Sequence, residues 1–254
     1  MRLSDHRSNV HSQSGEDGVI QEICRRLGPA LGASPWCVEF GAWDGMFLSN
    51  TFTLVESHGW NAVYIESDAA KFADLTATAE AHPTIVPVHA TVSGPVGSGS
   101  SLDDILGSTP LPQDYDVLSI DIDSTDLDVW AQHVSYRPKV VCIEVNSSLV
   151  PGIIQWHSGD RHPGNSFSAT LQVARDMGYT LVCHTGNMIL VADEHADAMG
   201  LSDLDRRYPE RLFDWEWLDR QSTLRVRAVT AGTRLPEPVK DVVKKAMRRK
   251  PPTR

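Results

Sequence analysis

Most of the acidic residues that could take part in chemistry occupy equivalent places in the sequence. Each lies at or just after the end of an apolar segment that has the length of a β-strand. They are Glu39, Glu66, Asp121, Asp123 and Glu144, with Asn146 two residues after the last. In a parallel sheet the C-terminal ends of the strands meet at one edge, and such folds bind ligands there. Carboxylates gathered at that edge can accept hydrogen bonds from hydroxyl groups, bind a cation or remove a proton.

A glycine turn follows the first apolar segment, Trp36–Phe40. It contains Gly41, Ala42, Asp44 and Gly45, and the next helix is predicted to begin at Asn50. A glycine turn before a helix lets a ligand approach the backbone and meet free N–H groups. The G-x-G-x-x-G pattern that binds a pyrophosphate is absent here. The turn therefore indicates a cofactor without a pyrophosphate, and the alternative is a strand-to-helix turn with no ligand.

Glu66 favours the cofactor interpretation, because it follows the second predicted strand, residues 60–65. An acidic residue at this place hydrogen-bonds the ribose hydroxyls of an adenosine cofactor. S-adenosylmethionine contains adenosine but no phosphate, and its sulfonium and ammonium groups suit an acidic turn. The glycine turn and Glu66 together predict a site for S-adenosylmethionine.

Asp121 and Asp123 end the fourth predicted strand, residues 115–122. Side chains two residues apart on a strand point the same way, so these carboxylates repel each other unless a cation or a proton lies between them. With Glu144 and Asn146 after the fifth strand, Asp121 would supply oxygen ligands for Mg²⁺. The competing interpretation is that both aspartates hold the cofactor ammonium group and cap the next helix, with Ser124 or Thr125 at its N-cap.

Two histidines, His157 and His162, lie in a segment without periodicity, residues 147–165, which follows the fifth strand. A histidine can act as a general base near neutral pH, so both are catalytic candidates beside Asp121 and Asp123. The alternative is that they are solvent-facing loop residues. Trp156 in the same segment could stack on a sugar ring or anchor the loop.

Apolar segments alternate with helical patterns along the chain, which predicts helices on both faces of a parallel sheet. The spacing of apolar residues predicts a helix over 18–27. Strands at 179–184 and 188–192 flank Thr185-Gly186-Asn187, a hairpin turn signal. The expected fold is α/β, a Rossmann-like, doubly wound, mostly parallel seven-stranded sheet with an antiparallel C-terminal hairpin.

The composition limits the partners. A net charge of −10 argues against nucleic acid, although residues 240–254 are basic. They form either a solvated tail or a tail that binds a membrane surface or a polyanion. No apolar run is long enough to span a membrane, and the four cysteines have no metal-type spacing. We therefore expect a soluble cytoplasmic protein with reduced core cysteines and a small-molecule acceptor. The oligomeric state stays open, a homodimer included.

An ordered set of segments resembles the FkbM-type branch of class I methyltransferases. The segments are SQSGEDGVI, VEFGAWDGMFLSNT, YIESD, LDDIL, LSIDIDSTDLDVW, VVCIEVN and NSFSATLQVARDMGYTLV, and they run from about Ser12 to Ala192. The resemblance implies methyl transfer from S-adenosylmethionine, in this family usually to a hydroxyl oxygen of a sugar or natural product. Related metal-dependent enzymes use Mg²⁺ to lower the pKa of the acceptor hydroxyl, although Glu-Val-Asn departs from their usual acidic pair.

The resemblance also implies roles for individual residues. It implies that the methionine part of the cofactor lies near Gln13, Glu39 and Gly41, the ribose at Glu66, and the adenine near Ser67, His89 and Ala90. The whole predicted cofactor set is Gln13, Glu39, Gly41, Ala42, Asp44, Gly45, Asn50, Glu66, Ser67, His89, Ala90 and Asp121. We expect one methyltransferase domain over 1–234, with a cap segment at 1–30, a substrate-covering insertion at 147–165 and the basic tail at 235–254.

Two other function classes remain. The first is methyl transfer to nitrogen in a small amine or peptide, although no Asn-Pro-Pro-Tyr-like segment follows the fourth strand. The second is a non-catalytic module that kept the cofactor-binding fold. The presence of Glu39, Gly41 and Glu66 argues against this second class.

Overall fold

A computed structural model describes residues 1–94, 99–122, 124–159 and 161–221. The helices are α1 (Glu16–Leu27), α2 (Phe52–His58), α3 (Ala69–Ala81), α4 (Leu102–Leu106), α5 (Asp126–Gln132), α6 (Phe167–Asp176) and α7 (Asp203–Arg207). The strands are β1 (Trp36–Phe40), β2 (Asn61–Glu66), β3 (Ile85–His89), β4 (Val117–Ile120), β5 (Val140–Glu144), β6 (Tyr179–His184) and β7 (Asn187–Ala192). None of the helices within these ranges is both long and apolar enough to cross a membrane.

The seven strands form one sheet in the order β3-β2-β1-β4-β5-β7-β6. The first five strands pair in parallel, whereas β7 pairs antiparallel with both β5 and β6. The predicted Rossmann-like sheet with an antiparallel C-terminal hairpin is therefore confirmed. Because β1 and β4 are neighbours that connect to opposite sides of the sheet, the switch point lies between their C-terminal ends.

The sheet centre is apolar because its strands are covered on both faces, as parallel sheets are. All of β4 is buried, and β1, β5, β6 and β7 carry further buried Val, Ile, Leu and Cys side chains. All four cysteines, Cys24, Cys37, Cys142 and Cys183, are free and buried. The expectation that they belong to the core is thus confirmed.

Several element boundaries predicted from the sequence are wrong by one or two residues, among them those at the end of β4 and in the C-terminal hairpin. Strand β4 ends at Ile120, so Asp121 follows the strand instead of lying within it. The reason is that the Ile122 amide donates to the Asp126 carboxylate at 2.8 Å and not to a neighbouring strand. At the hairpin, Asn187 already belongs to β7, and the connecting turn is Thr185-Gly186.

The chain divides into two units, Met1–Phe213 and Asp214–Arg254. In the second unit residues 215–221 are helical. The division comes earlier than the domain end predicted at residue 234. The apolar run 223–229 and the basic tail 235–254 lie outside the described residues, so the predicted domain limits stay a prediction.

Candidate functional site

The glycine turn joins the C-terminal ends of β1, β2 and β4. The amides of Gly41 and Ala42 both donate to the Ile65 carbonyl at the end of β2, at 3.1 Å. Gly41 has φ +76°, and a Cβ at this position would lie 2.0 Å from the Asp121 carbonyl oxygen. Only glycine fits both the backbone conformation and this close approach. The predicted Gly41 and Asp121 are therefore neighbours.

The second glycine of the turn serves packing. Gly45 has φ +83°, and a Cβ there would lie 2.8 Å from a methyl group of Leu75 in α3. Between the glycines, Asp44 accepts hydrogen bonds from the amides of Met46 and Phe47 at 2.9 and 2.7 Å. The Asp44 side chain therefore holds its own loop together.

The Glu39 carboxylate holds the start of α2. It accepts hydrogen bonds from the Ser49 and Thr51 hydroxyls at 2.7 and 2.6 Å and from the Asn50 and Thr51 amides at 3.1 and 3.2 Å. Three of these bonds end on one carboxylate oxygen, Oε2, and the Asn50 amide alone donates to Oε1. Burial raises the pKa of Glu39 against the effect of these donors. The predicted residue Asn50 is bound here, and its side chain also donates to Ser119 at 3.1 Å.

The Glu66 carboxylate is bonded differently. One oxygen accepts from the Trp43 amide at 2.8 Å, and the other accepts from the Asp68 amide at 2.7 Å. A third contact, from the Ser67 hydroxyl, is long at 3.5 Å. The two short bonds fix the plane of the carboxylate and leave lone pairs that can accept from further hydroxyl groups.

Trp43 is a site residue that sequence reasoning missed. Its backbone has φ +51°, which is uncommon for a residue other than glycine, and this conformation accompanies the amide bond to Glu66. The Lys71 ammonium group lies 4.2 Å from the centre of the indole, within cation–π range. The sequence signal was its place between the two glycines of the turn.

Aromatic rings also lie beside the end of β3. The predicted His89 stacks on Phe72 with ring centres 4.7 Å apart, and its Nε2 lies 3.1 Å from the Ser67 carbonyl oxygen. The Ala90 amide donates to the Glu66 carbonyl at 3.1 Å. The predicted residues Ser67, His89 and Ala90 are therefore gathered next to Glu66.

The loop after β4 is organised by Asp126, which sequence reasoning also missed. Its carboxylate accepts from the amides of Ile122 and Ser124 at 2.8 and 2.9 Å. Thr125 occupies the N-cap position of α5, but its side chain makes no capping bond. Asp121 is half-buried beside the glycine turn, and Asp123 lies outside the described residues.

The expected metal ligands at β5 have other contacts. Glu144 ends the strand and is half-buried, and the Asn146 amide oxygen accepts from the Ser148 backbone at 3.2 Å. Within the described ranges, no group of three or more His, Cys, Asp and Glu side chains could hold a metal ion. The predicted ligands Asp121, Glu144 and Asn146 include an amide, which is not among these four residue types, so the Mg²⁺ site stays a prediction.

The loop over residues 147–165 contains both predicted histidines. Nδ1 of His157 accepts from the Gly164 amide at 3.1 Å, which puts the proton of a neutral ring on Nε2. In this arrangement His157 can accept a proton only after the Gly164 bond breaks. Asn165 connects the loop to β4, because its side chain accepts from the His157 amide and donates to the Ser124 carbonyl at 3.5 Å. His162 is exposed, and its carbonyl accepts from the Ser158 amide.

A buried aspartate orders the segment before α1. One oxygen of Asp17 accepts from the amides of Val10, His11 and Ser12, and the other accepts from Thr53 in α2 at 2.6 Å. Burial acts to raise the pKa of Asp17, but the hydrogen bonds outweigh it and the pKa lies below its usual value. The predicted Gln13 is exposed in this segment. Asp17 was part of the SQSGED segment, but nothing in its type distinguished it from a surface acid.

Three comparisons place these features among known proteins. No family model and no curated protein matches the chain. The structure of the CurJ carbon methyltransferase matches 69% of this chain and 52% of its own, with 12% identity and a TM-score of 0.46. TrmK from M. capricolum, solved with S-adenosyl-homocysteine, matches 89% of this chain and 93% of its own, with 9% identity and a TM-score of 0.45. An Aquifex aeolicus SAM-dependent methyltransferase matches 69% and 87%, with 11% identity and a TM-score of 0.41.

The CurJ and Aquifex aeolicus structures are of methyltransferases. The chain spans only about half the length of the CurJ protein and of the citrinin polyketide synthase CMeT domain, 52% and 55%. Identities and TM-scores this low leave activity and substrate to be argued from the site itself.

Proposed function

We propose that this protein is an S-adenosylmethionine-dependent methyltransferase that acts on a hydroxyl group of a saccharide or glycosylated natural product. The FkbM-like motif order supports this choice of acceptor. The observation that carries the proposal is the Glu66 carboxylate at the end of β2. It is oriented by two backbone amides and keeps lone pairs for a pair of vicinal hydroxyls.

The residues around Glu66 fit an adenosine group. Two hydroxyls of a ribose can donate to the carboxylate, which is 4% exposed and thus shielded from competing water. The stacked rings of Phe72 and His89 and the indole of Trp43 supply flat apolar faces of the kind that hold a purine. No pyrophosphate clamp is present in the glycine turn, which suits a cofactor without phosphate.

The roles proposed for the other residues follow from their bonds. Glu39 is proposed to act indirectly, because all four of its hydrogen-bond donors belong to residues 49–51. It fixes residues 49–51 and with them the turn that contains Gly41, Ala42, Asp44 and Gly45. Gln13 and Asp121 are proposed to face the methionine part of the cofactor from two sides.

When bound, S-adenosylmethionine supplies an electrophilic methyl group. The chain has to align an acceptor hydroxyl with it and remove the proton of that hydroxyl. We assign proton removal to Asp121 or Asp123 in preference to the histidines, because Nδ1 of His157 is already occupied by Gly164. His162 remains a second-choice base. The loop 147–165 is proposed to cover the acceptor.

The test is incubation of the purified protein with methyl-labelled S-adenosylmethionine and a panel of free and glycosylated hydroxyl compounds. We expect label in an oxygen-linked methyl group, with activity reduced at least about 100-fold in Asp121→Asn. Label on nitrogen in an amine panel, with none on hydroxyl compounds, would replace the O-methyl proposal by the N-methyl alternative. Cofactor binding without any turnover would favour the non-catalytic module.

The role of Mg²⁺ is tested in the same assay. The proposed ligands are Asp121, Glu144 and Asn146, whose oxygens are of the type that Mg²⁺ prefers. We expect EDTA to lower activity and Mg²⁺ to restore it. Activity that does not change with EDTA would remove the metal from the proposal and leave the carboxylates as bases.

A further inference from the structure

In the loop over residues 147–165, large apolar side chains face solvent while a polar side chain between them turns towards the loop. Ile153, Ile154 and Trp156 are 42%, 59% and 42% exposed. Gln155, which lies between them, turns back and donates to the Pro163 and Gly164 carbonyls at 3.3 and 3.1 Å. Large apolar side chains are normally covered, so three neighbouring exposed ones call for a partner. We name Ile153, Ile154 and Trp156 the apolar ridge.

The backbone of the ridge is held in place by hydrogen bonds at Gly152, just before it, and at Gln155, within it. The Gly152 amide donates to the Ser168 hydroxyl at 2.8 Å, and the Gln155 amide donates to the Ser166 hydroxyl at 3.0 Å. The Ser166 amide returns a bond to the Gln155 carbonyl at 2.9 Å. Exposure of the ridge is therefore a feature of an ordered backbone anchored to the start of α6.

The ridge lies beside the candidate site. Its loop leaves the C-terminal end of β5, the edge at which β1, β2 and β4 end in the residues described above. Asn165, which accepts from the amide next to Trp156, donates to the Ser124 carbonyl in the loop after β4. A molecule bound on the ridge would thus adjoin the loop that contains Asp121.

We propose that the apolar ridge binds an apolar part of the methyl acceptor, such as an alkyl chain or aglycone attached to the hydroxyl-bearing group. This inference rests on the proposed function and specifies its substrate class. An indole face and two branched aliphatic side chains are the lining that small apolar ligands meet in protein sites.

The size of the ridge and the net charge of the whole protein favour a small ligand over two larger partners. Three partly exposed side chains offer a patch of at most a few hundred Å². A stable contact with a second copy of the chain needs roughly 800 Å² on each side. The net charge of −10 repels the anionic surface of a membrane.

The experiment compares octyl β-glucoside, below its micelle concentration, with methyl β-glucoside. Binding is measured by the shift of the Trp156 indole N–H in NMR spectra, assigned with Trp156→Phe, and by calorimetry. We expect the octyl compound to bind at least about tenfold more tightly, and Ile154→Ser to weaken its binding about five- to tenfold. Val134→Ser is the matched control, since Val134 is 78% exposed. It follows the C-terminal end of α5, whereas the loop that contains Asp121 precedes the N-terminal end of that helix.

Equal affinity for the two glucosides, or unchanged octyl binding in Ile154→Ser, overturns the inference. Dimerisation or sedimentation with phosphatidylglycerol vesicles that depends on Ile154 overturns it in favour of a second copy or a lipid surface. Calorimetry with S-adenosylmethionine on the same samples separates the two proposals. Cofactor binding without an octyl preference removes the ridge ligand alone, whereas loss of cofactor binding removes the proposed function.

Discussion

The C-terminal ends of β1 and β2 lie side by side. Glu39 is the last but one residue of β1 and Glu66 is the last residue of β2, and each is 4% exposed. Glu39 accepts four short or moderate hydrogen bonds from residues 49–51, two of them from hydroxyl groups. Glu66 accepts two short bonds, both from backbone amides. Burial is the same in both, so we propose that the larger number of donors on Glu39 leaves Glu66 the more available of the two to a ligand. Glu39 holds the start of α2, and Glu66 is proposed to contact the cofactor.

The turn that connects these two strand ends should be the most sensitive position. Gly41→Ala places a Cβ 2.0 Å from the Asp121 carbonyl oxygen at a φ of +76°. We expect a loss of at least about 3 kcal/mol in the free energy of unfolding, measured by urea denaturation. Gly59→Ala is the matched control, because Gly59 has φ +66° but no atom within 4 Å of the added Cβ. A similar, small loss in both variants would contradict the packing described for the turn.

Substitution of the two glutamates separates their roles. Glu39→Gln replaces one acceptor oxygen by a donor among four donors, and we expect it to cost about 2–3 kcal/mol of stability. Glu66→Gln should weaken binding of S-adenosyl-homocysteine about 10–100-fold, because ribose hydroxyls lose an anionic acceptor.

A ligand analogue makes this comparison independent of stability. The wild type should prefer S-adenosyl-homocysteine over its 2′-deoxy analogue, and Glu66→Gln should lose that preference while Glu39→Gln keeps it. If Glu39→Gln alone removed the preference, the assignment of the two acids would be reversed.

Asp17 is a third buried carboxylate that binds the start of α2. It accepts from the Thr53 hydroxyl, as Glu39 accepts from the Thr51 hydroxyl. Its pKa is lowered in the folded protein, so its contribution is present above the usual value of 3.8 and is lost as the pH falls through the folded-state pKa. Asp17→Asn should cost about 2 kcal/mol at pH 7 and progressively less below about pH 4. Denaturation at several pH values measures this, with the exposed Asp74→Asn as control. A cost that does not depend on pH would refute the role assigned to the Asp17 charge.

The smallest effect concerns the core behind the two strand ends. Cys37 in β1 is buried, and burial raises its pKa well above the usual value. Burial likewise raises the pKa of Cys24 to about 12. Thiolate is the reactive form, so we expect all four thiols to resist N-ethylmaleimide in the folded protein and to react in guanidinium chloride. Mass spectrometry counts the labels, and fast labelling of Cys37 in the native state would show that β1 is open to solvent.

The periodic features of the sequence predicted the fold well. The sheet, the antiparallel hairpin and the bounds of β1 and β6 follow from strand and helix periods that tertiary packing then preserved. The predicted end of β4 was two residues too late, because the Ile122 amide donates to the Asp126 carboxylate. The residue type of Asp126 does not reveal this bond.

The site was predictable only in part. Strand ends and glycines located Glu39, Gly41 and Glu66, since topology gathers such residues at one edge. The sequence could not show that Glu39 accepts four hydrogen bonds, that the Trp43 amide orients Glu66, or that Ile153 and Ile154 face solvent. Hydrogen-bond counts and the direction of side chains in an irregular loop depend on tertiary contacts that have no period.

Titration calorimetry with S-adenosylmethionine and, separately, NAD tests the central claim most directly, because both contain adenosine but only NAD has a pyrophosphate. With Glu66 free to accept ribose hydroxyls and no pyrophosphate-binding turn after β1, we predict one binding site for S-adenosylmethionine and no detectable heat with NAD. Binding of NAD, or no binding of S-adenosylmethionine to the folded wild type, would contradict the account.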